Sequence, residues 1–141
     1  MPAVQASWAQ DLAFAGDLTG HMTAIVTDTA TQKSACTGAR PRQGQIWSDE
    51  FYGTIDTSGA TWGVYIVIQN YAGPGTYHGA AVAIEVASID ALKQWQNGPS
   101  DAVTFTLDRS GESGTIDAML TNNDSAKAAA LHVSGRWNCK A

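Results

Sequence analysis

Thr61-Trp62-Gly63-Val64-Tyr65-Ile66-Val67-Ile68-Gln69-Asn70 is the most apolar stretch of the chain, and its rhythm has a period of two. Trp62, Val64, Ile66 and Ile68 alternate with Tyr65 and Val67. A helix would space its apolar residues by three and four; alternation of β-branched and aromatic side chains marks a strand buried on one face. This stretch is expected at the centre of a sheet. Upstream, Ser58-Gly59 makes a hairpin turn with a strand over 46–56, in which Trp47, Phe51 and Ile55 share a face. Farther back, 38–45 is a loop carrying Pro41 and Gly44, and 28–33 is a polar turn. Leu12, Phe14, Leu18, Met22, Ala24 and Val26 fall on one parity, with Gly16 and Gly20 as breaks.

Downstream, Tyr71-Ala72-Gly73-Pro74-Gly75-Thr76-Tyr77-His78-Gly79 reads as a loop whose Gly-Pro-Gly centre admits neither helix nor ladder. A strand over 80–88 turns Val82, Ile84 and Val86 inward. Residues 89–96 are expected to form the one helix, capped by Asp90, with Leu92 and Trp95 on one face and Asn97-Gly98-Pro99 ending it. Val103, Phe105 and Leu107 lead into a turn over 109–114, then Ile116, Ala118 and Leu120 face inward from 115–121. After a turn at Asn122-Asn123-Asp124, the last strand carries Leu131, Val133, Gly135, Trp137 and Cys139.

About eight strands joined by short turns predict an antiparallel all-β fold, because parallel pairs need crossovers of about a dozen residues. The expected architecture is an antiparallel β-sandwich with one short helix; an up-and-down β-barrel is the alternative. The 141 residues suit a single domain over 1–141, with 1–10 as a loose N-terminal segment.

Charged residues are only 15% of the chain, while 14 glycines and 14 threonines favour turns and strands. Eight basic against 13 acidic residues give a net charge of −5, so the basic footprint of a nucleic-acid binder is missing. No apolar run approaches the roughly 18 residues of a membrane span.

Cys36 and Cys139 are the only cysteines and lie 103 positions apart, a spacing that fits neither a zinc site nor a C-x-x-C redox motif. Two unrelated buried thiols are one reading. A disulfide is the other: Cys139 sits where a terminal strand frays unless tied, and Cys36 precedes the strand-ending Thr37-Gly38. Closing so long a loop would stabilise by about 4–5 kcal/mol in the chain-entropy model. Such a bond persists in oxidising compartments, so an extracellular, periplasmic or cell-surface location is expected. Residues 1–7 lack a basic region and an apolar core and are no signal peptide, so either the chain is a mature form with an added methionine, which the expectation takes, or the protein is not exported.

Three short pieces recur together elsewhere. Gly73-Pro74-Gly75-Thr76-Tyr77, the run from Ser113 to Leu120 and the closing Ser134-Gly135-Arg136-Trp137-Asn138-Cys139 follow one another here. In this, residues 71–139 resemble uncharacterised secreted or lipoprotein-type bacterial β domains with a C-terminal S-G-x-W-x-C strand. The resemblance implies export, a β fold and a disulfide to an upstream cysteine. It implies no activity and no functional residue.

Residues that could carry chemistry are scattered. Gly111-Glu112-Ser113-Gly114 lacks the spacing of a nucleophile elbow and lies between two strands, so it reads as a hairpin turn. His21, His78 and His132 are far apart without a ligand spacing, and His21 and His132 fall on outward parities. The turn over 108–112 lacks the acids of a calcium loop. Asp49 and Glu50 are adjacent and face opposite sides of a strand, and Glu85 points outward. Arg40-Pro41-Arg42 with Lys33 reads as a solvated basic loop or an anion contact. No catalytic residue, metal site or cofactor is expected.

The aromatic residues carry the binding signal. Trp47, Tyr52, Trp62, Tyr65, Tyr71, Tyr77 and Trp95 gather within 47–95, and flat side chains with a polar tip suit ligand surfaces. Tyr71, Tyr77 and His78 form either a ligand rim on the Gly-Pro-Gly loop or a cover over the sheet end; Trp62 and Trp137 read as core. The functional expectation is a non-catalytic secreted or cell-surface binding module for a glycan or protein ligand, of unspecified oligomeric state. Two alternatives stand beside it: a small β-barrel enzyme with a pocket site, and a self-assembling surface subunit, motivated by the outward Tyr65 and Val67.

Overall fold

The computed structural model describes residues 7–16, 18–27, 44–55, 61–88, 93–98, 101–109, 113–122 and 130–138. Ten strands run through them: β1 (Ser7–Gly16), β2 (Gly20–Thr27), β3 (Trp47–Thr54), β4 (Thr61–Ile68), β5 (Gly75–His78), β6 (Ala83–Ser88), β7 (Gln94–Gln96), β8 (Val103–Leu107), β9 (Ser113–Asn122) and β10 (Leu131–Asn138). The only helical turn among the described residues is a 3-10 turn at Gly79–Ala81.

Every ladder among the described residues is antiparallel, as the short connections lead one to expect. The strands follow the order β2-β1-β10-β9-β7-β6-β4-β3, with β8 on the second edge of β9 and β5 beyond β8. Leaving out β5 and β8, this is an up-and-down order in which the first and last strands, β1 and β10, lie side by side. The sheet curls into a half-barrel, bringing its end strands β2 and β3 into contact. Gln10 on β1, almost wholly buried, reaches across this gap, its Nε2 donating to the Tyr52 carbonyl of β3 at 2.9 Å.

The alternation read from the sequence sets the inner face. Leu12, Met22, Val64, Ile66, Ile84, Phe105, Ile116, Leu120, Leu131 and Val133 are all fully buried or nearly so. Trp47, Phe105 and Trp137 meet at ring-centroid distances of 5.5, 5.9 and 6.1 Å, which joins β3, β8 and β10. Trp62 packs on Trp95 at 5.7 Å. The strand expected at the centre, β4, is flanked on both sides, but it stands next to the end strand β3.

Within the segment 1–10 expected to be loose, residues 7–10 instead begin β1, held by the ladders to β2 and β10. Two further elements differ from expectation. The helix placed at 89–96 is not formed over its second half: Gln94–Gln96 is β7, bridging β6 and β9, while 89–92 lie outside the described residues. Asn97 explains the choice. Its Oδ1 accepts from the Ile84 N–H at 2.8 Å and its Nδ2 donates to the Val82 carbonyl at 2.9 Å, so the side chain continues the ladder beside β6. Asn97→Ala would leave both backbone groups unmatched and is expected to lower stability by about 1–3 kcal/mol, read as a shift of the urea midpoint at unchanged slope.

The second difference is β5. The loop expected over 71–79 contains a ladder after all, because only Pro74 lacks an N–H and the four residues after it are free to pair. Tyr77 sits opposite Phe105, and their pairing buries both rings.

The outer face of β3, β4 and β6 is largely self-covered. Glu50, Tyr65 and Glu85 lie in one row across the three strands. The Tyr65 ring leans over Gly63, where a Cβ would stand 2.5 Å from its hydroxyl oxygen, and meets Tyr52 edge-on at 5.9 Å. Of the two outward residues that suggested self-assembly, Tyr65 packs against the core and Val67 is half-buried. Ile46 is the one large hydrophobic side chain exposed among the described residues.

Tyr52 donates to Glu50 Oε2 at 3.0 Å, and burial, with this carboxylate beside it, pushes its hydroxyl well above the usual 10.0. The sign of the consequence is fixed by linkage. Above about pH 10 the unfolded chain loses a proton that the folded chain keeps, so stability present below that pH declines as the pH rises. Urea midpoints compared at about pH 8 and about pH 11 are expected to fall less for Tyr52→Phe than for the parent.

Candidate functional site

The segment leaving β4 and the strand β5 enclose an open cleft of about 630 Å³, within the range of small-ligand sites. Its lining comes from Gln69, Asn70 and Ala72 of the first segment, from Thr76, Tyr77 and His78 of β5, and from Ala80 and Ala81 of the 3-10 turn. Gln69, Asn70, Thr76 and His78 are exposed. Among the described residues, neither amide side chain has a hydrogen-bond partner.

The walls are held by their own chain. Tyr77 Oη donates to the Gly73 carbonyl at 2.6 Å and accepts from the Ala72 N–H at 2.9 Å, bracing the turn from inside. Tyr71 stacks on Tyr77 with ring centroids 6.5 Å apart and planes within 18°. Its backbone is hooked to the 44–45 segment: Gly44 N–H donates to the Tyr71 carbonyl at 2.8 Å and Tyr71 N–H to the Gln45 carbonyl at 3.0 Å. A cleft whose walls are tied in this way spends little ordering entropy on binding.

The three residues singled out from the sequence therefore occupy different places. Tyr71 is buried behind the cleft, Tyr77 presents part of its ring to it, and His78 stands exposed on its wall with Nδ1 3.4 Å from Thr104 Oγ1. Gln69, Asn70 and the alanines were not singled out. Two adjacent amides just before a Gly-Pro-Gly turn were the available signal.

The other candidates lie elsewhere. Folding brings all three histidines to the outer face of the sheet formed by β2, β1, β10, β9, β8 and β5, but spread across it. His21 pairs with Asp11 at 2.5 Å and His132 with Asp117 at 2.7 Å, both half-exposed. The Asp11–His21 pair lines a shallower hollow of about 390 Å³ with Thr115, Ser134 and Arg136. Among the described residues, no group of three His, Cys, Asp or Glu side chains could hold a metal ion. Ser113 opens β9 and donates its hydroxyl to Asp108, which fits the hairpin-turn reading. Among the described residues no helix is long and apolar enough to cross a membrane. Cys36, Cys139, Lys33 and Arg40–Arg42 lie outside the described residues. Compared with protein-family models, with curated proteins and with solved structures, the chain matches none.

Proposed function

We propose that this chain is a non-catalytic binding module that works outside the cytoplasm and seats its ligand in the cleft between Gln69–Ala72 and β5. The observation that carries the reading is the pairing of braced backbone with open polar groups: Tyr77 is tied on both sides of its hydroxyl, while among the described residues the amides of Gln69 and Asn70 have no partner and are open to a ligand. Among the described residues no carboxylate lines the cleft beside His78, and general acid–base work at a histidine ordinarily calls on one to orient or complement it. That favours binding over the enzyme alternative.

Filling the cleft tests the reading. Ala80→Trp is exposed enough to fold and is expected to weaken binding by at least about tenfold for any soluble cell-wall glycan or peptide that the parent binds, with the urea midpoint unchanged. Binding that survives the substitution would place the ligand elsewhere. The extracellular part of the proposal rests on the Cys36–Cys139 disulfide. Non-reducing mass spectrometry of the folded protein is expected to find neither sulfur alkylated; two alkylated thiols would remove the argument for export.

A further inference from the structure

We infer that the ligand of this cleft is an extended polypeptide segment that adds as a strand along the free edge of β5, an inference that rests on the cleft being the binding site. Its position is the first ground. The lining takes three consecutive residues of β5, whose side chains alternate between the two faces of the sheet, and none from β8. A hollow touched by consecutive residues of a strand, but by nothing on its partner, runs along the opposite edge.

Among the described residues β5 forms a ladder with β8 alone, so alternate residues of Gly75–His78 turn their N–H and C=O groups toward the cleft. The same lining includes Gln69 and Asn70, whose amides offer N–H donors and a carbonyl acceptor, the kinds of group that pair with a peptide unit. A polypeptide repeats its N–H and C=O groups at the rise of about 3.3 Å per residue that a strand edge demands, and a sugar chain does not.

The chemistry of the seated side chain follows from the lining. Among the described residues no carboxylate, ammonium or guanidinium lines the cleft, and Ala72, Ala80 and Ala81 leave room for a small apolar, hydroxyl or amide side chain. With only four residues in β5, the added strand is short, so binding is modest, and the same shortness guards the edge against unspecific pairing.

The test uses the full chain with heptapeptides selected from a random display library, the same heptapeptides N-methylated at alternate amides, and chitotetraose as the glycan probe. Saturation with heptapeptide is expected to slow amide exchange at least about tenfold at alternate residues of Gly75–His78, and N-methylation of one alternating set, but not the other, to weaken binding at least about tenfold. Exchange slowed only elsewhere, or equal tolerance of both methylated sets, overturns the inference. Chitotetraose binding that Ala80→Trp abolishes, with no heptapeptide selected, overturns it while the cleft remains a binding site. Neither probe binding overturns both.

Discussion

Gly135→Ala is expected to cost about 3 kcal/mol or more, a large part of the roughly 5–15 kcal/mol that stabilises a domain of this size. Gly135 lies in the middle of β10, opposite Leu12 of β1 and Ile116 of β9, so it is hemmed in on both edges. Its φ of +146° is one that side chains rarely adopt. A Cβ there would stand 2.0 Å from the Asp11 carbonyl oxygen and 2.9 Å from the Leu12 Cα. Both obstacles are backbone, so no side-chain rotation relieves them, and the ladder itself must shift. Gly73→Ala is the control: φ is +92°, but nothing lies within 4 Å of the added Cβ. Only conformational strain of about 1–2 kcal/mol remains there. Urea unfolding of the two variants separates clash from strain. Equal midpoints would mean that β10 has more room than its ladders indicate.

Phe105→Ala is expected to lose about 3–5 kcal/mol. Phe105 is fully buried and stacks on Trp137 with planes 3° apart, while Trp47 leans on both. The side chain thus joins β8, an off-path strand, to the end strand β3 and to β10 inside the curled sheet. Removing it leaves a cavity between two indoles that the surrounding strands, each fixed by ladders, cannot collapse to fill. Near-UV circular dichroism of the tryptophans is expected to weaken with it. Ile46→Ala, at a side chain 59% exposed, is expected to change stability by no more than about 0.5 kcal/mol.

What the sequence made legible follows from element length and partner. In β4, β8, β9 and β10 the alternation of Trp62 to Ile68, Val103 to Leu107, Ile116 to Leu120 and Leu131 to Trp137 specifies one buried face without reference to anything distant. The short strands β5 and β7 carry four and three residues, too few for a period to show. Their state is set from outside: Tyr77 by the ring of Phe105 opposite it, and Gln94–Gln96 by Asn97 bonding to the backbone of β6. The candidate site divides the same way. The Gly-Pro-Gly loop and its aromatic residues were visible in the sequence. The two walls become one cleft only when β8 holds β5 in place, which no local pattern encodes.

The claim on which the account turns is that ligand meets the protein at the edge of β5. Backbone amide shifts of the isotope-labelled chain, followed through titration with a selected heptapeptide, address it most directly. The shifted resonances are expected to gather over residues 69–81, with His78 among the largest, while the Asp11–His21 hollow stays silent. Shifts gathered around Asp11, His21 and Arg136 instead would contradict it.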